Sequence, residues 1–338
     1  MVSFRHMKNK YKKKRTKKYK QKLKTKTYKT NIEKISHELK PMNCSPFVDG
    51  KTPIKQSCLT PDILVRIKNE YNKDHPLNMI MTNDIREIWT ILNKRLSKEN
   101  GCKKEKCWLK EITDSNLRKE IEEHIFAPEQ PLDWKNNPDE WLSNYDIFNV
   151  IRQYEDTYKD FKFMGPTTID FDTRLPERNN KCVEEEVCEF YLKDYIKNGF
   201  NHFACVFNLD RHNQSGSHWV SMFIDIPEKV IFYFDSAGAR DIPEEIDVLV
   251  KRLQKQASEL ENPFQFTYYN NSKLRHQNGG TECGMYAIFF VITMLTGKTP
   301  FYKERVLPMS ERLQLFLKKK IPDKVVFDYR DLYFNKNS

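Results

Sequence analysis

No apolar run in the 338 residues approaches the ~20 that a membrane-spanning helix needs. The longest, Met285 to Leu295, stops well short and suits a buried helix or strand. With a mean hydropathy of −0.76, a membrane partner is not expected. No apolar segment stands behind the charged N-terminus, so a secretory signal is not read there. Glycine is scarce, with ten in all, and acidic residues are wholly absent from residues 1–32.

That last absence concentrates the charge. Residues 1–32 hold 14 Lys and Arg; the remainder has 44 basic against 47 acidic residues, a net of −3 beside +11 for the whole chain. A block of like charge repels itself and has no apolar surface to bury, so residues 1–32 are expected to be disordered. Its expected partner is DNA or another polyanion.

The eight cysteines are Cys44, Cys58, Cys102, Cys107, Cys182, Cys188, Cys205 and Cys283. Without a secretion signal the chain is assigned to a reducing compartment, where disulfides are not expected. The pairs Cys102/Cys107 and Cys182/Cys188 have four and five intervening residues, wider than the usual spacing of a structural zinc module. No histidine cluster follows at finger spacing, and no His-Glu-x-x-His is present. Neither a metal nor a cofactor is expected.

Beyond the basic segment, residues 33–57 mix Pro, Ser, Asn and Lys and read as a linker. Residues 58–127 read as a helical accessory arm. One helix starts at Thr60-Pro61 with Ile63, Leu64, Ile67 and Tyr71 on one face; a second starts near Asp84 with Ile85, Ile88, Trp89, Ile91 and Leu92. From residue 128 the texture changes to dense aromatics and short apolar runs. Strands are expected at His202–Phe207, Trp219–Ile226, Val230–Asp235 and Phe264–Tyr269, the middle two joined by a Pro227-Glu228-Lys229 turn. An amphipathic helix is expected from Pro243 to Leu260, and Cys283 to Leu295 is apolar nearly all round, as in a helix at the centre of a fold. Residues 128–338 therefore read as an α+β domain.

Five of the ten glycines fall between positions 216 and 284, beside three segments rich in reactive side chains. These are Gly216-Ser217-His218-Trp219, Phe234-Asp235-Ser236-Ala237-Gly238, and Arg275-His276-Gln277-Asn278-Gly279-Gly280-Thr281-Glu282-Cys283-Gly284. A thiol nucleophile must be ionised near neutrality, which a helix N-terminus and a neighbouring imidazole both favour. Cys283 stands where a helix would begin. His218 opens one strand and Asp235 closes the next, so antiparallel pairing returns them to one sheet edge, where the carboxylate can orient the imidazole. Gln277 can offer its amide to a developing oxyanion, together with the Cys283 N–H. Taken singly, each residue is more often structural; it is their joint arrangement that points to nucleophilic catalysis.

The order His218, Asp235, Gln277, Cys283, the His218-Trp219 pair and the spacing of the four resemble the Ulp1/SENP-type, adenain-like cysteine proteases. Glu140-Trp141-Leu142-Ser143-Asn144 is similar to an upstream segment of that family, with Asn144 where Asp is usual. Within the family the likeness runs to the polyprotein-processing proteases of large cytoplasmic DNA viruses, of African swine fever virus and mimivirus type. The resemblance implies a permuted papain-like core, with a central helix packed on a mixed sheet and an added N-terminal helical arm. In it His218 acts as base and then acid, Asp235 orients it, Cys283 attacks and Gln277 binds the oxyanion. Trp141 and Trp219 would wall a narrow tunnel for Gly-Gly, with core packing a stronger rival role for Trp141 than for Trp219.

The expected function is thus a cysteine endopeptidase cleaving after Gly-Gly in viral structural polyproteins, in the virion and the host cytoplasm. The rivals are an isopeptidase of SUMO or another ubiquitin-like protein, with a nuclear location as the alternative, and an inactive nucleic-acid-bound structural protein of the same fold.

Overall fold

The computed structural model describes residues 39–302 and 305–336. The basic segment 1–32 lies outside the described residues, as does the first part of the linker. The described residues divide into two compact units: residues 39–42 with 50–122, and residues 43–49 with those from 123 onward.

The first unit is helical. Its first helix, α1 (Pro61–Asp74), has Thr60 at its N-cap and proline in its first turn, and it buries Ile63, Leu64, Ile67 and Tyr71, which recur at helical spacing. Helix α2 (Ile85–Leu92) begins at Asp84, whose side chain accepts the Glu87 N–H and so satisfies one of the helix's open donors. A π-helical stretch, Asn93–Glu99, and a 3-10 helix, Glu105–Glu111, follow. The Glu105 carboxylate is buried yet satisfied: it accepts the Trp89 indole N–H at 2.7 Å and the Cys58 N–H at 3.0 Å. Helix α3 (Ser115–Ile125) carries the chain out of this unit.

In the second unit, helix α4 (Asn144–Thr157) starts in a reciprocal capping box between Ser143 and Asp146. Strand β1 (Phe161–Thr168) follows, then the small hairpin β2 (Arg174–Leu175) and β3 (Lys181–Cys182), and short helices α5 (Glu185–Cys188) and α6 (Leu192–Lys197). Next come β4 (His202–Asn208), β5 (Trp219–Asp225) and β6 (Val230–Phe234), helix α7 (Glu244–Ser258), and β7 (Thr267–Asn270). The chain continues with α8 (Cys283–Thr296), α9 (Met309–Lys318), α10 (Asp323–Asp328) and α11 (Arg330–Tyr333). The main sheet runs β1-β4-β5-β6-β7. Its three inner strands are antiparallel, and both edge strands pair in parallel, so the sheet is mixed.

Both faces of the sheet are covered. Ala204, Val206, Phe223, Phe232 and Phe234 point into one core with α8, while Phe203, Cys205, Phe207, Met222 and Ile231 point into the other with α7. Burial on both faces is why these strands read as nearly unbroken apolar runs instead of alternating ones. All residues of α8 are buried, and Phe290 on it stacks on Phe234 with ring centroids 4.7 Å apart. Each large side chain so buried contributes about 1.5–3 kcal/mol. The β7 strand pairs only from Thr267, later than the expected Phe264, because Phe264 and Phe266 turn onto the α7-side core and pack edge-to-face.

Two expectations are corrected or refined here. Cysteines were expected to be reduced, whereas Cys102 is joined to Cys107 and Cys182 to Cys188. The short loops hold their Cα atoms 5.6 and 6.3 Å apart, inside the reach of a disulfide. Within the segment read as a linker, residues 43–49 belong to the second unit, where the Asn43 side chain donates to Asp331 O and Phe334 O at 2.6 Å each. Among the described residues no helix is long and apolar enough to cross a membrane, and no cluster of His, Cys, Asp and Glu gathers as a metal site would require.

Candidate active site

The β5–β6 hairpin delivers the first two residues. His218 precedes β5 and Asp235 follows β6, so the antiparallel register that pairs Ser221 with Phe234 brings them to the same sheet end. His218 Nε2 lies 2.7 Å from Asp235 Oδ1. This bond occupies Nε2 and leaves Nδ1 open to a second partner; the Cys283 thiol is among the groups that raise the pKa of the ring.

Neighbours missed by the sequence reading hold the pair. The Asp235 carboxylate also accepts the Ala237 N–H at 2.8 Å and the Ala239 N–H at 2.9 Å. Buried Asn271 grips its backbone from both sides, accepting the Asp235 N–H at 2.8 Å and donating to its carbonyl at 2.7 Å. Gly238, at φ +63°, lets this turn close: a Cβ there would stand 2.6 Å from the Leu274 backbone. On the His218 side, buried Asn208 accepts the N–H groups of Asp210 and Ser217, and Asp170 holds His212 at 2.6 Å, fixing the loop that ends in His218. Single polar residues in loops have no periodicity to betray them, so no sequence signal marked Asn208, Asp170 or Asn271.

Burial acts against the charged form of both members of the dyad. In His218 it is outweighed by the hydrogen bonds to Asp235 and Cys283, which carry the imidazole up to about 9. In Asp235 it is outweighed by His218 and the two backbone N–H groups, which hold the carboxyl below its ordinary value. The site therefore favours an imidazolium beside a carboxylate. Cys283 is the first residue of α8 and only 2% exposed, so its sulfur sits at the positive end of the helix dipole.

Gln277 lies on the loop entering α8. Its Oε1 accepts the Ser236 hydroxyl at 2.7 Å and its Nε2 donates to Gly279 O at 3.0 Å. The Ser236 bond fixes which end of the amide is the donor, and Nε2 keeps a second hydrogen for a ligand.

The two tryptophans differ from expectation. Trp219, expected nearer the cleft, is 8% exposed in the core, with its indole N–H donating to Leu142 O at 3.0 Å. Trp141, for which the core was the stronger rival, is 41% exposed. Leu142 explains the inversion, because it lies against the start of α8: a Cβ on Gly284 would come within 3.0 Å of the Leu142 side chain. The Trp141-Leu142 segment is thereby tied to both Trp219 and the residue after Cys283, and Trp141 is turned outward. Asn144 is the exposed first residue of α4.

Comparison with known proteins bears out the resemblance. Residues 205–322 match the family model described as the Ulp1 protease family, C-terminal catalytic domain. A thiol protease of Acanthamoeba polyphaga mimivirus is 36% identical over 165 residues, covering 48% of this chain and 50% of that protein. The matched segment thus spans about half the length of that relative. The SUMO-1 cysteine protease of African swine fever virus is 26% identical over 220 residues, covering 61% of this chain and 77% of its own. The crystal structure of the African swine fever virus protease superposes with a TM-score of 0.55 at 20% identity, covering 88% of this chain and 97% of the other. This last likeness establishes the shared α+β fold.

Proposed function

We propose that this chain, a relative of the Ulp1-type cysteine proteases, is an endopeptidase that cuts after Gly-Gly in viral structural polyproteins during particle maturation. The observation that carries the peptidase reading is the half-buried His218, bonded through Nε2 to Asp235, with the Cys283 thiol among the groups that raise its pKa. Its relatives named as thiol and cysteine proteases support the same chemistry.

The residues divide the work as follows. His218 holds the thiol proton, and Cys283 Sγ forms a bond to the scissile carbonyl carbon. The carbonyl oxygen becomes an oxyanion facing the Cys283 N–H and the free Nε2 hydrogen of Gln277. As the C–N bond breaks, His218 passes its proton to the leaving amine. Water, deprotonated by His218, then attacks the thioester carbon; the C–Sγ bond breaks, the acid leaves, and His218 returns the proton to the pair it forms with Cys283.

Support for Gly-Gly comes from the likeness of the site residues to the Ulp1-type proteases; of the two tryptophans only Trp141 is exposed to meet a substrate, while Trp219 packs in the core. Cleavage of SUMO or ubiquitin-like conjugates is the second reading, favoured by the SUMO-1 protease name of the African swine fever virus relative. An inactive structural protein is disfavoured by the complete dyad and thiol. Work in the virion and host cytoplasm fits relatives encoded by viruses.

The test is a peptide series. A Gly-Gly-Xaa peptide should be cut after the second glycine, and replacing that glycine by alanine should slow cleavage about 100-fold. Equal cleavage of both peptides would remove the Gly-Gly specificity. Faster release of a SUMO moiety than of any capsid polyprotein would favour the second reading. Residues 1–32 are proposed to bind DNA; their deletion should abolish salt-sensitive DNA binding and leave peptide cleavage unchanged.

A further inference from the structure

The segment that joins Gln277 to Cys283 has no regular structure, and Asn278, Gly279 and Gly280 are exposed. Yet both oxyanion donors hang on it: the Gln277 amide at one end and the Cys283 N–H at the other. Such a segment needs an external hold if the two donors are to keep their positions.

That hold comes from a later part of the chain. The Asp323 carboxylate, in the first turn of α10, accepts the Gly279 N–H on Oδ2 at 2.9 Å and lies 3.1 Å from the Asn278 nitrogen with both oxygens. The Tyr286 hydroxyl, one turn into α8, lies 2.8 Å from both Asp323 Oδ1 and Ile321 O. Asp323 thus touches the loop before the nucleophile and the helix after it. Just upstream, Lys320 Nζ donates to Asn278 Oδ1 at 2.8 Å. Buried His276 donates from Nε2 to Phe316 O at 3.0 Å and accepts the Ile321 N–H on Nδ1 at 3.1 Å. The hold reaches the amide itself, because the Gly279 carbonyl accepts from Gln277 Nε2 at 3.0 Å and Ser236 fixes Gln277 Oε1 at 2.7 Å.

We propose that Asp323 is a positioning residue for the oxyanion site: it clamps the Asn278–Gly279 turn so that the Gln277 amide and the Cys283 N–H converge on one point. This deepens, and rests on, the peptidase reading above. A charge-assisted bond to a carboxylate is stronger than a bond to water. The N–H groups it holds are exposed, so its loss hands them to solvent without leaving buried donors unpaired. The consequence falls on geometry. A displacement of about 1 Å in a reacting site costs up to about 100-fold in rate.

The test compares Asp323→Asn and Asp323→Ala with the full wild-type chain. Both variants should lower kcat about 10–100-fold on a cleavable peptide, with KM within about twofold. Alkylation of Cys283 by iodoacetamide needs the thiolate but no oxyanion donor, so its rate and pH profile should match wild type in both variants. Amide hydrogen exchange at Asn278 and Gly279 should speed up about tenfold, with the rest of the sheet and α8 unchanged. Wild-type kcat in both variants, unaltered exchange at these two amides, or parallel falls in cleavage and alkylation would each overturn the clamp. A wild-type chain that cuts no peptide would fail the peptidase reading instead, and the exchange comparison would then decide the clamp alone.

Discussion

Two histidines stand at opposite ends of the same β-ladder, each beside a buried aspartate. At one end His218 Nε2 meets Asp235 at 2.7 Å, and the Cys283 thiol is a second group that raises its pKa. At the other, His202 opens β4, with Asp160 Oδ2 3.0 Å from Nδ1 and Asp225 Oδ2 3.4 Å from Nε2. Burial opposes the charge on both rings, and carboxylates overcome it in both, so both are raised above the ordinary imidazole value. The difference lies in the second nitrogen. A ring with a carboxylate within ion-pair reach of each nitrogen and no thiol beside it acts as a fastener. A ring gripped on one side can exchange a proton with whatever the other side faces. A raised, carboxylate-paired histidine is therefore no sign of catalysis until its remaining nitrogen is accounted for.

The comparison can be broken most sharply at the two rings. His218→Ala should lower kcat by at least about 1,000-fold, as should Cys283→Ser, because thiol and imidazole act as one unit. His202→Gln should leave kcat within about twofold and lower the melting temperature instead, since it removes a half-buried charge interaction with Asp225. Similar kcat losses in His218→Ala and His202→Gln, measured on one peptide, would end the distinction. Next in size is Gln277→Ala, expected to cost about 2.7–4 kcal/mol in transition-state stabilisation, seen as a fall in kcat at nearly constant KM. An unchanged kcat would take Gln277 out of the oxyanion site.

The smallest effect is on stability against pH, where a third histidine sharpens the contrast. His218 is raised to about 9 in the fold, so its contribution is complete below the unfolded value of about 6.5 and disappears as pH rises through 9. His276 has the opposite sign. Burial, chiefly, lowers it to about 4, so the folded ring stays neutral while the unfolded one gains a proton. Its contribution is complete above about 6.5 and declines as pH falls towards 4, by at most about 1.4 kcal/mol per pH unit. Melting temperatures across pH 4–10 should fall at both ends. His218→Gln should flatten the alkaline limb alone; an unchanged alkaline limb would refute the raised value.

Much of this was legible in the chain itself. The strands at His202, Trp219 and Val230 and the helix at Cys283 announced themselves because their apolar runs are covered on both sides, and a buried run needs no partner to be recognised. His218, Asp235, Gln277 and Cys283 stood out together, through their order, their spacing and their place at element boundaries, although singly each is more often structural. The residues that hold them were not: Asn271, Asn208, Ser236 and Asp323 are ordinary polar residues whose roles depend on which backbone groups folding brings opposite them. The exchange of exposure between Trp141 and Trp219 was equally hidden, since it follows from Leu142 meeting Gly284 across the fold. Cysteine pairing also escaped, because compartment rules speak of redox conditions and not of Cα separations. Sequence by itself determined the elements, the core and the reactive groups, because periodicity and side-chain chemistry are local properties. Only the tertiary structure decided that His218 lies 2.7 Å from Asp235, because a hydrogen bond between distant residues depends on a distance that no local pattern contains.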